Sequence, residues 1–272
     1  MTALTVVSAG RRPLGVLVRE FWAYRELLYF LVWRDAKVRY KQTVLGAAWA
    51  VLQPFMTMVV FTVVFGRLAG VPSDGQPYAI FTFAALVPWT YFAQSLSNAA
   101  ASLVGNRVIA RVYFPRLLVP ASSIITPLID CGIALGVLFL LQMAWYRQWP
   151  PPQVLLLPVF IALAAATAFA AGIWFAALNV KYRDVRFVLP FALQFWMFAT
   201  PIAYPASLVP ERWRPIYGLN PMASVVEGFR WAVLATPGPG LMLVVSCASV
   251  AAALWAGLLY FRRVEGTLVD VL

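Results

Sequence analysis

The residues able to do chemistry are few, and most of them are cations. The chain has no histidine, which removes the commonest general base and metal ligand. Cys131 and Cys247 both fall inside apolar runs, so they read as small buried residues rather than as a disulfide or metal pair. Asp130 is a lone acid in the middle of an apolar run. An ionisable group at that depth is a functional candidate by default; the alternative is a protonated or hydrogen-bonded packing residue near Ser122, Ser123 or Thr126. Asp184 lies at the opposite depth, so no carboxylate pair or metal cluster of the kind a membrane-embedded transferase needs is visible. A proton-coupled carrier needs several ionisable groups in its spans, and Asp130 stands alone. None of Lys37, Lys41 and Lys181 is preceded by glycine, so the Gly-x-x-x-x-Gly-Lys-Ser/Thr phosphate loop is missing. The chain is expected to bind no metal and no cofactor and to catalyse nothing itself.

What the sequence does offer is surfaces. Arg107 and Arg111 are four residues apart and share a face of one helical turn, with Val108, Ile109 and Val112 as its apolar back and Tyr113-Phe114-Pro115-Arg116 as a knuckle that ends it. Such a turn can press on a partner outside the membrane, or it is a basic loop that only sets orientation. Arg34, Lys37, Arg39 and Lys41 form a basic face suited either to the diphosphate of a lipid carrier or to ordinary anionic lipids. Phe187, Phe191, Gln194, Phe195 and Phe198 fall within about a third of a helix circumference. That stripe either offers sugar rings flat apolar faces or packs on another helix. Glu227 and Arg230, three residues apart, read as a pair on one helix.

The elements that position these residues are membrane helices. At 62% hydrophobic and 11% charged, with a mean hydropathy of +0.80, the chain is too apolar for a soluble domain, whose apolar share is about 45–50%. With roughly 20 apolar residues per crossing, its 272 residues make one all-α membrane domain of about six spans and no second domain. The expected spans are 43–65, 77–104, 117–146, 154–178, 187–203 and 241–261, with bends at Pro54 and Pro88. Residues 13–41 are mixed in character and read as a helix lying in the interface. Residues 105–116 carry the knuckle.

Residues 205–236 hold too many charges for lipid, and their punctuation predicts two short helices in an outer hairpin. Pro210 and Glu211 suit a first turn, Gly218 a stop, and Asn220-Pro221 an N-cap followed by the first helical residue. Ala164, Ala168 and Gly172, and again Ala248, Ala252 and Ala256, are small-residue stripes expected to be packing faces. In the first ten residues the weakly apolar positions precede Arg11 and Arg12, the reverse of a secretory leader, so no cleaved signal is expected. The net charge of +11 does not point to nucleic acid, because the cations are dealt out to alternate loops. Of the 21 Lys and Arg residues only Arg67, Arg147, Arg212, Arg214 and Arg230 fall on one side, which predicts that both termini and the knuckle are cytoplasmic.

Three segments together resemble a known family. Arg39-Tyr40-Lys41-Gln42-Thr43-Val44-Leu45-Gly46, running through Trp49 to Gln53-Pro54, is similar to the start of the first span in permease subunits of ABC-2 type exporters for bacterial surface polysaccharides. The knuckle with Phe114-Pro115-Arg116 resembles that family's coupling helix. Asn179 to Asp184 with the Pro201 segment, and Leu219-Asn220-Pro221-Met222 with Glu227 and Arg230, complete the pattern. The resemblance implies a six-span permease of the bacterial inner membrane that works as a homodimer with two copies of a separate cytoplasmic ATPase, where ATP and Mg are bound. It implies export of a polyprenyl-diphosphate-linked glycan, O-antigen first, with capsule, teichoic acid, or a drug or small lipid as alternatives. Carried onto this chain, it makes Arg107, Arg111, Tyr113, Phe114, Pro115 and Arg116 the ATPase-coupling surface. It makes Arg34, Lys37, Arg39 and Lys41 the diphosphate entrance, the Phe187–Phe198 stripe the glycan channel, and Asn220, Pro221, Glu227 and Arg230 an outer gate.

Overall fold

The computed structural model describes residues 19, 22–41, 48–104, 114–147, 149–182 and 184–265. Arg107, Arg111, Tyr113 and the segment 42–47 lie outside them. The described chain is helical throughout. Helix α1, Arg25–Lys41, precedes α2, Ala48–Phe61, whose last turns widen into a π-helix over Thr62–Leu68. Helix α3 is Tyr78–Ala101. Helices α4, Leu118–Ile125, and α5, Leu128–Leu140, are two halves of one rod broken at Thr126-Pro127, where Pro127 has no N–H to continue the ladder. Helix α6, Leu157–Lys181, is entered through a 3₁₀ turn that begins at Pro152. Then come α7, Val185–Phe198, α8, Arg214–Tyr217, α9, Pro221–Leu234, and α10, Leu241–Glu265.

Among the described residues five stretches are long and apolar enough to cross a bilayer: Ala48–Leu68, Tyr78–Ala101, Leu118–Trp145, Pro152–Lys181 and Leu241–Val264. The sixth expected span is a helix of only 14 residues, α7, which rises about 21 Å against a hydrocarbon core of about 30 Å. It stops at Phe198 rather than running to 203 because Pro201 cannot continue the ladder. Beyond it the chain bends away, and the carbonyls of Pro201 and Ile202 are taken up by Arg230.

Helix α3 is the centre of the bundle, touching α2, α4, α5, α6, α7 and α9. In lipid the gain from this packing is close contact rather than transfer out of water, and it favours small residues. The Ala164, Ala168 and Gly172 stripe of α6 meets that need: all three are buried, and a Cβ on Gly172 would stand 2.8 Å from the Ala99 Cβ of α3. The second stripe does not behave as expected. Ala248, Ala252 and Ala256 are exposed, and α10 instead packs through Met242, Ser246, Val250, Gly257 and Phe261. At Gly257 a Cβ would lie 2.7 Å from Ile173 of α6. Spacing alone gives two small-residue rows on α10, and the bulk of Ile173 and Trp174 selects the row holding glycine.

The expected hairpin divides as its punctuation says, and only its first limb lies at the surface: Leu208, Trp213, Ile216 and Leu219 are exposed. Two 3₁₀ turns, Ala206–Leu208 and Glu211–Trp213, precede the short α8. Helix α9 is buried along nearly its whole length and packs on α3, α6 and α10. Asn220 caps it through a bond accepted from the Met222 N–H, with Pro221 at the first helical position. Its far end closes on Ala235 in the left-handed region, φ 55°. The last carbonyls there, of Val233 and Leu234, accept from the side-chain amides of Gln142 and Gln76. Gly218 is helical at φ −63°, so its glycine answers a close approach rather than a positive φ: a Cβ there would sit 2.6 Å from the Met242 carbonyl oxygen.

Candidate functional site

The basic cluster of α1 divides. Arg34, Lys37 and Lys41 are exposed, whereas Arg39 is half-buried and turned toward the bundle. At 100° per residue Arg39 stands well over a quarter-turn from the other three, so the four do not form one face. Arg34 donates from Nε and Nη2 to Asp35 Oδ1 at 2.9 and 2.8 Å. Arg39 Nη2 lies 2.8 Å from Asp130 Oδ2, and the Tyr40 hydroxyl donates to Asp130 Oδ1. Burial first, and then the Asp130 carboxylate it donates to, push the Tyr40 phenol up to about 12.

The neighbours that the sequence suggested for Asp130 are therefore corrected, from Ser122, Ser123 and Thr126 to Arg39 and Tyr40. Asp130 is 8% exposed and ion-paired to the interfacial helix, while Ser122 and Ser123 both donate to Val119 O and Thr126 donates to Ser122 O. Two spaces adjoin the pair. A cavity of about 60 Å³, with Arg39, Tyr40, Gln53, Tyr91, Gln94 and Asp130 on its walls, lies inside it. A groove of about 480 Å³ lined by Arg34, Asp35, Val38, Arg39, Asn98, Ser123 and Thr126 opens outside it.

Of the knuckle, Phe114, Pro115 and Arg116 are described. Phe114 is not offered to a partner: it is 5% exposed, in a cluster with Leu31 of α1, Leu103, Leu118 of α4, Ile173 of α6 and Phe261 of α10. Its ring anchors the knuckle to four helices, and Pro115 and Arg116 remain half-buried beside it.

The aromatic stripe faces outward. Phe187, Phe191, Phe195 and Phe198 are 67%, 64%, 63% and 52% exposed, Gln194 is exposed among them, and Leu189 is the buried residue of α7. Phe191 and Phe195 meet edge to face at 4.7 Å, and the Arg186 guanidinium sits 4.7 Å from the Phe187 ring centre. Packing of the stripe on another helix is thus excluded among the described residues. On the other face Trp196 donates to Asn220 Oδ1 at 2.8 Å and its ring meets Phe92 at 4.8 Å.

At the hairpin, Arg230 is more than a helix-surface partner of Glu227. It is fully buried. Its guanidinium donates to the carbonyls of Phe81, Pro201, Ile202 and Tyr204 and to Glu227 Oε1 at 3.0 Å, and it lies 3.5 Å from the Phe81 ring centre. Burial lowers it to about 10, opposed by Glu227, whose own carboxyl burial raises. Glu227 Oε1 also accepts the Ala206 N–H at 3.2 Å. Asn220 donates to Ala199 O and Thr200 Oγ1 as well as capping α9. The candidate gate residues therefore bind α9 to the loop that follows α7. Sequence gave the i, i+3 pair; the carbonyls that complete it come from the Pro201 segment and α3, which no local pattern links to Arg230.

Among the described residues no group of three or more His, Cys, Asp or Glu could hold a metal ion. In comparison with known proteins, residues 26–234 match the family described as ABC-2 type transporter. The chain is 33% identical over 217 residues to the O-antigen export system permease protein RfbA of Myxococcus xanthus, covering 79% of this chain and 82% of that one. It is 28% identical over 214 residues to an RfbA of Klebsiella pneumoniae, with 75% and 79% covered. It is 22% identical over 237 residues to the polysialic acid transport protein KpsM of Escherichia coli, with 85% and 91% covered.

Proposed function

Because this chain belongs to the ABC-2 type transporter family, a permease with no ATPase site of its own, we propose that it forms the channel of an ATP-driven exporter. In this reading two copies pair in the bacterial inner membrane with two copies of a cytoplasmic ATPase, and the cargo is a polyprenyl-diphosphate-linked polysaccharide, O-antigen foremost. The relatives named for O-antigen export support the substrate class. The observation that carries it onto this chain is the outward row Phe187, Phe191, Phe195 and Phe198 with Gln194. Aromatic faces give pyranose rings flat apolar contact with little directional hold, which suits a polymer that must slide.

In the same reading Arg107, Arg111, Tyr113, Pro115 and Arg116 meet the ATPase, and Phe114 carries the push into α1, α4, α6 and α10. Lys37, Lys41 and Arg34 draw the anionic carrier to the entrance. Both termini lie on the cytoplasmic side, and residues 205–236 with Asn220, Pro221, Glu227 and Arg230 form the outer gate. The likeness to the polysialic acid transport protein supports capsular glycan as the second reading. The test is depletion of this chain in its native cell with glycan synthesis left intact. Polymer accumulating on the cytoplasmic side while the surface loses it upholds the reading, and an unchanged surface glycan overturns it.

A further inference from the structure

The groove between α1 and the α3–α4 ends holds two arginines, and both are already matched by a carboxylate: Arg34 by Asp35, and Arg39 by Asp130. Ser123 and Thr126, on its other wall, spend their hydroxyl protons on backbone carbonyls. The exposed amide of Asn98 is a further polar group of that wall. Among its described residues such a groove is close to neutral at rest, so they attract a single negative charge weakly. A group bearing two charges and many acceptor oxygens competes far better for a guanidinium, because each added charge-assisted bond repays part of the ion pair it displaces.

Resting on the export reading above, in which this entrance takes the diphosphate of the lipid carrier, we propose that Arg39 exchanges Asp130 for that diphosphate in the groove. The exchange does not strand Asp130. The carboxylate keeps the Tyr40 hydroxyl, and the adjoining cavity of about 60 Å³ has room for a few waters, each needing roughly 10–15 Å³ of such space. Asp130 is thus a positioning residue with two duties. It holds Arg39 at the groove, and by reclaiming Arg39 it lets the diphosphate go. Val38, exposed on the groove wall, gives the first prenyl units an apolar edge. The arrangement also accounts for the buried acid, which the structure places against Arg39 and Tyr40 of α1.

The test uses the full-length permease in lipid nanodiscs, with farnesyl diphosphate and phosphatidylglycerol as probes. The native chain is expected to bind farnesyl diphosphate at least tenfold more tightly than phosphatidylglycerol. Asp130→Asn, which removes the competitor, should tighten farnesyl diphosphate binding roughly tenfold, and in the assembled exporter it should lower KM and kcat together as release slows. Arg39→Gln should weaken binding by a similar factor. A purely structural role for Asp130 would lower the yield of folded protein without tightening binding. Should Asp130→Asn fail to fold, Arg34→Gln, at an exposed position, is expected to weaken farnesyl diphosphate binding several-fold without loss of folded protein. Equal affinity for the two probes, or unchanged binding in both arginine variants, overturns the groove assignment. That failure is distinct from failure of the export reading, which the depletion experiment decides by the surface glycan alone.

Discussion

Replacing Arg230 by methionine should do more damage than any other single change in the half of the bundle that holds α9 and the loop after α7. The side chain is fully buried and donates to four backbone carbonyls and to Glu227. Methionine fills similar volume but leaves those carbonyls without this donor and Glu227 with the Ala206 N–H at 3.2 Å. Removing one partner of a buried pair costs about 3–5 kcal/mol, because the other is left uncompensated. On a chain of this size that is a fall of roughly 6–20 °C in the apparent unfolding temperature. Cys131 is buried and Cys247 exposed, so a Cys247→Ala background with a thiol-reactive dye reads the opening of the bundle directly. Glu227→Gln on top of Arg230→Met should restore part of the loss, since the neutral amide needs no counter-charge. The sign with pH follows too. Burial already raises the Glu227 carboxyl and Arg230 opposes the rise, so without Arg230 it climbs further. A raised carboxyl binds more protons folded than unfolded, and the variant should therefore regain stability as pH falls toward the ordinary carboxylate range. A shift below about 2 °C, the equivalent of less than 1 kcal/mol, would refute the view that this guanidinium holds α9 to the loop after α7.

Gly218→Ala should cost about 1–3 kcal/mol by overpacking, since the clash is with the Met242 backbone oxygen; the same dye assay checks it. Ala252→Leu, on the exposed row of α10, should stay within about 0.5 kcal/mol, and a larger loss in detergent would show that this row is packed after all. Tyr40→Phe should remove a phenol that titrates near 12. In the folded native chain this group stays protonated above its unfolded value near 10, so its contribution is complete below about pH 10 and lost as pH rises toward 12. Difference absorbance between the two proteins during an alkaline titration measures that step, and a difference centred near pH 10 would count against the Asp130 contact.

Where a feature is set by neighbours in sequence, it was legible. Asn220-Pro221 announces the start of α9 because capping is a matter of two or three residues. The Ala164, Ala168 and Gly172 row announces a close helix contact because only small side chains allow one. The row on α10 misled because period alone does not say which side meets Ile173 and Trp174. Asp130 was identified as an acid needing an explanation, but its partners lie 90 residues earlier, at a distance no spacing argument spans. The basic cluster was read as one face although Arg39 points the other way, toward that acid. The length of α7 failed for a different reason. Its apolar run continues to Ala203, but Pro201 and the pull of Arg230 on the carbonyls beyond it end the helix early.

These contacts also divide α7 into a fixed and a free half. Its C-terminal end is held by Asn220 on Trp196, Ala199 and Thr200, and by the Tyr217 hydroxyl on Ala199 O. Its N-terminal half has Leu189 as its buried residue, and it follows directly on α6, whose last turns hold Ala176 and Ala177 in the cluster anchored by Phe114. On the proposed coupling role, a displacement of the knuckle should reach the N-terminal end of α7 through α6 and die out toward Asn220. Spin labels at Phe187 and Phe198, both exposed in the single chain, separate the two ends without disturbing the core. In the proposed homodimer with its ATPase, trapping the nucleotide should change the inter-protomer distance at 187 far more than at 198. Equal changes would mean that α7 moves as a rigid body, and a larger change at 198 would place the moving part at the outer hairpin and reverse the direction of the lever.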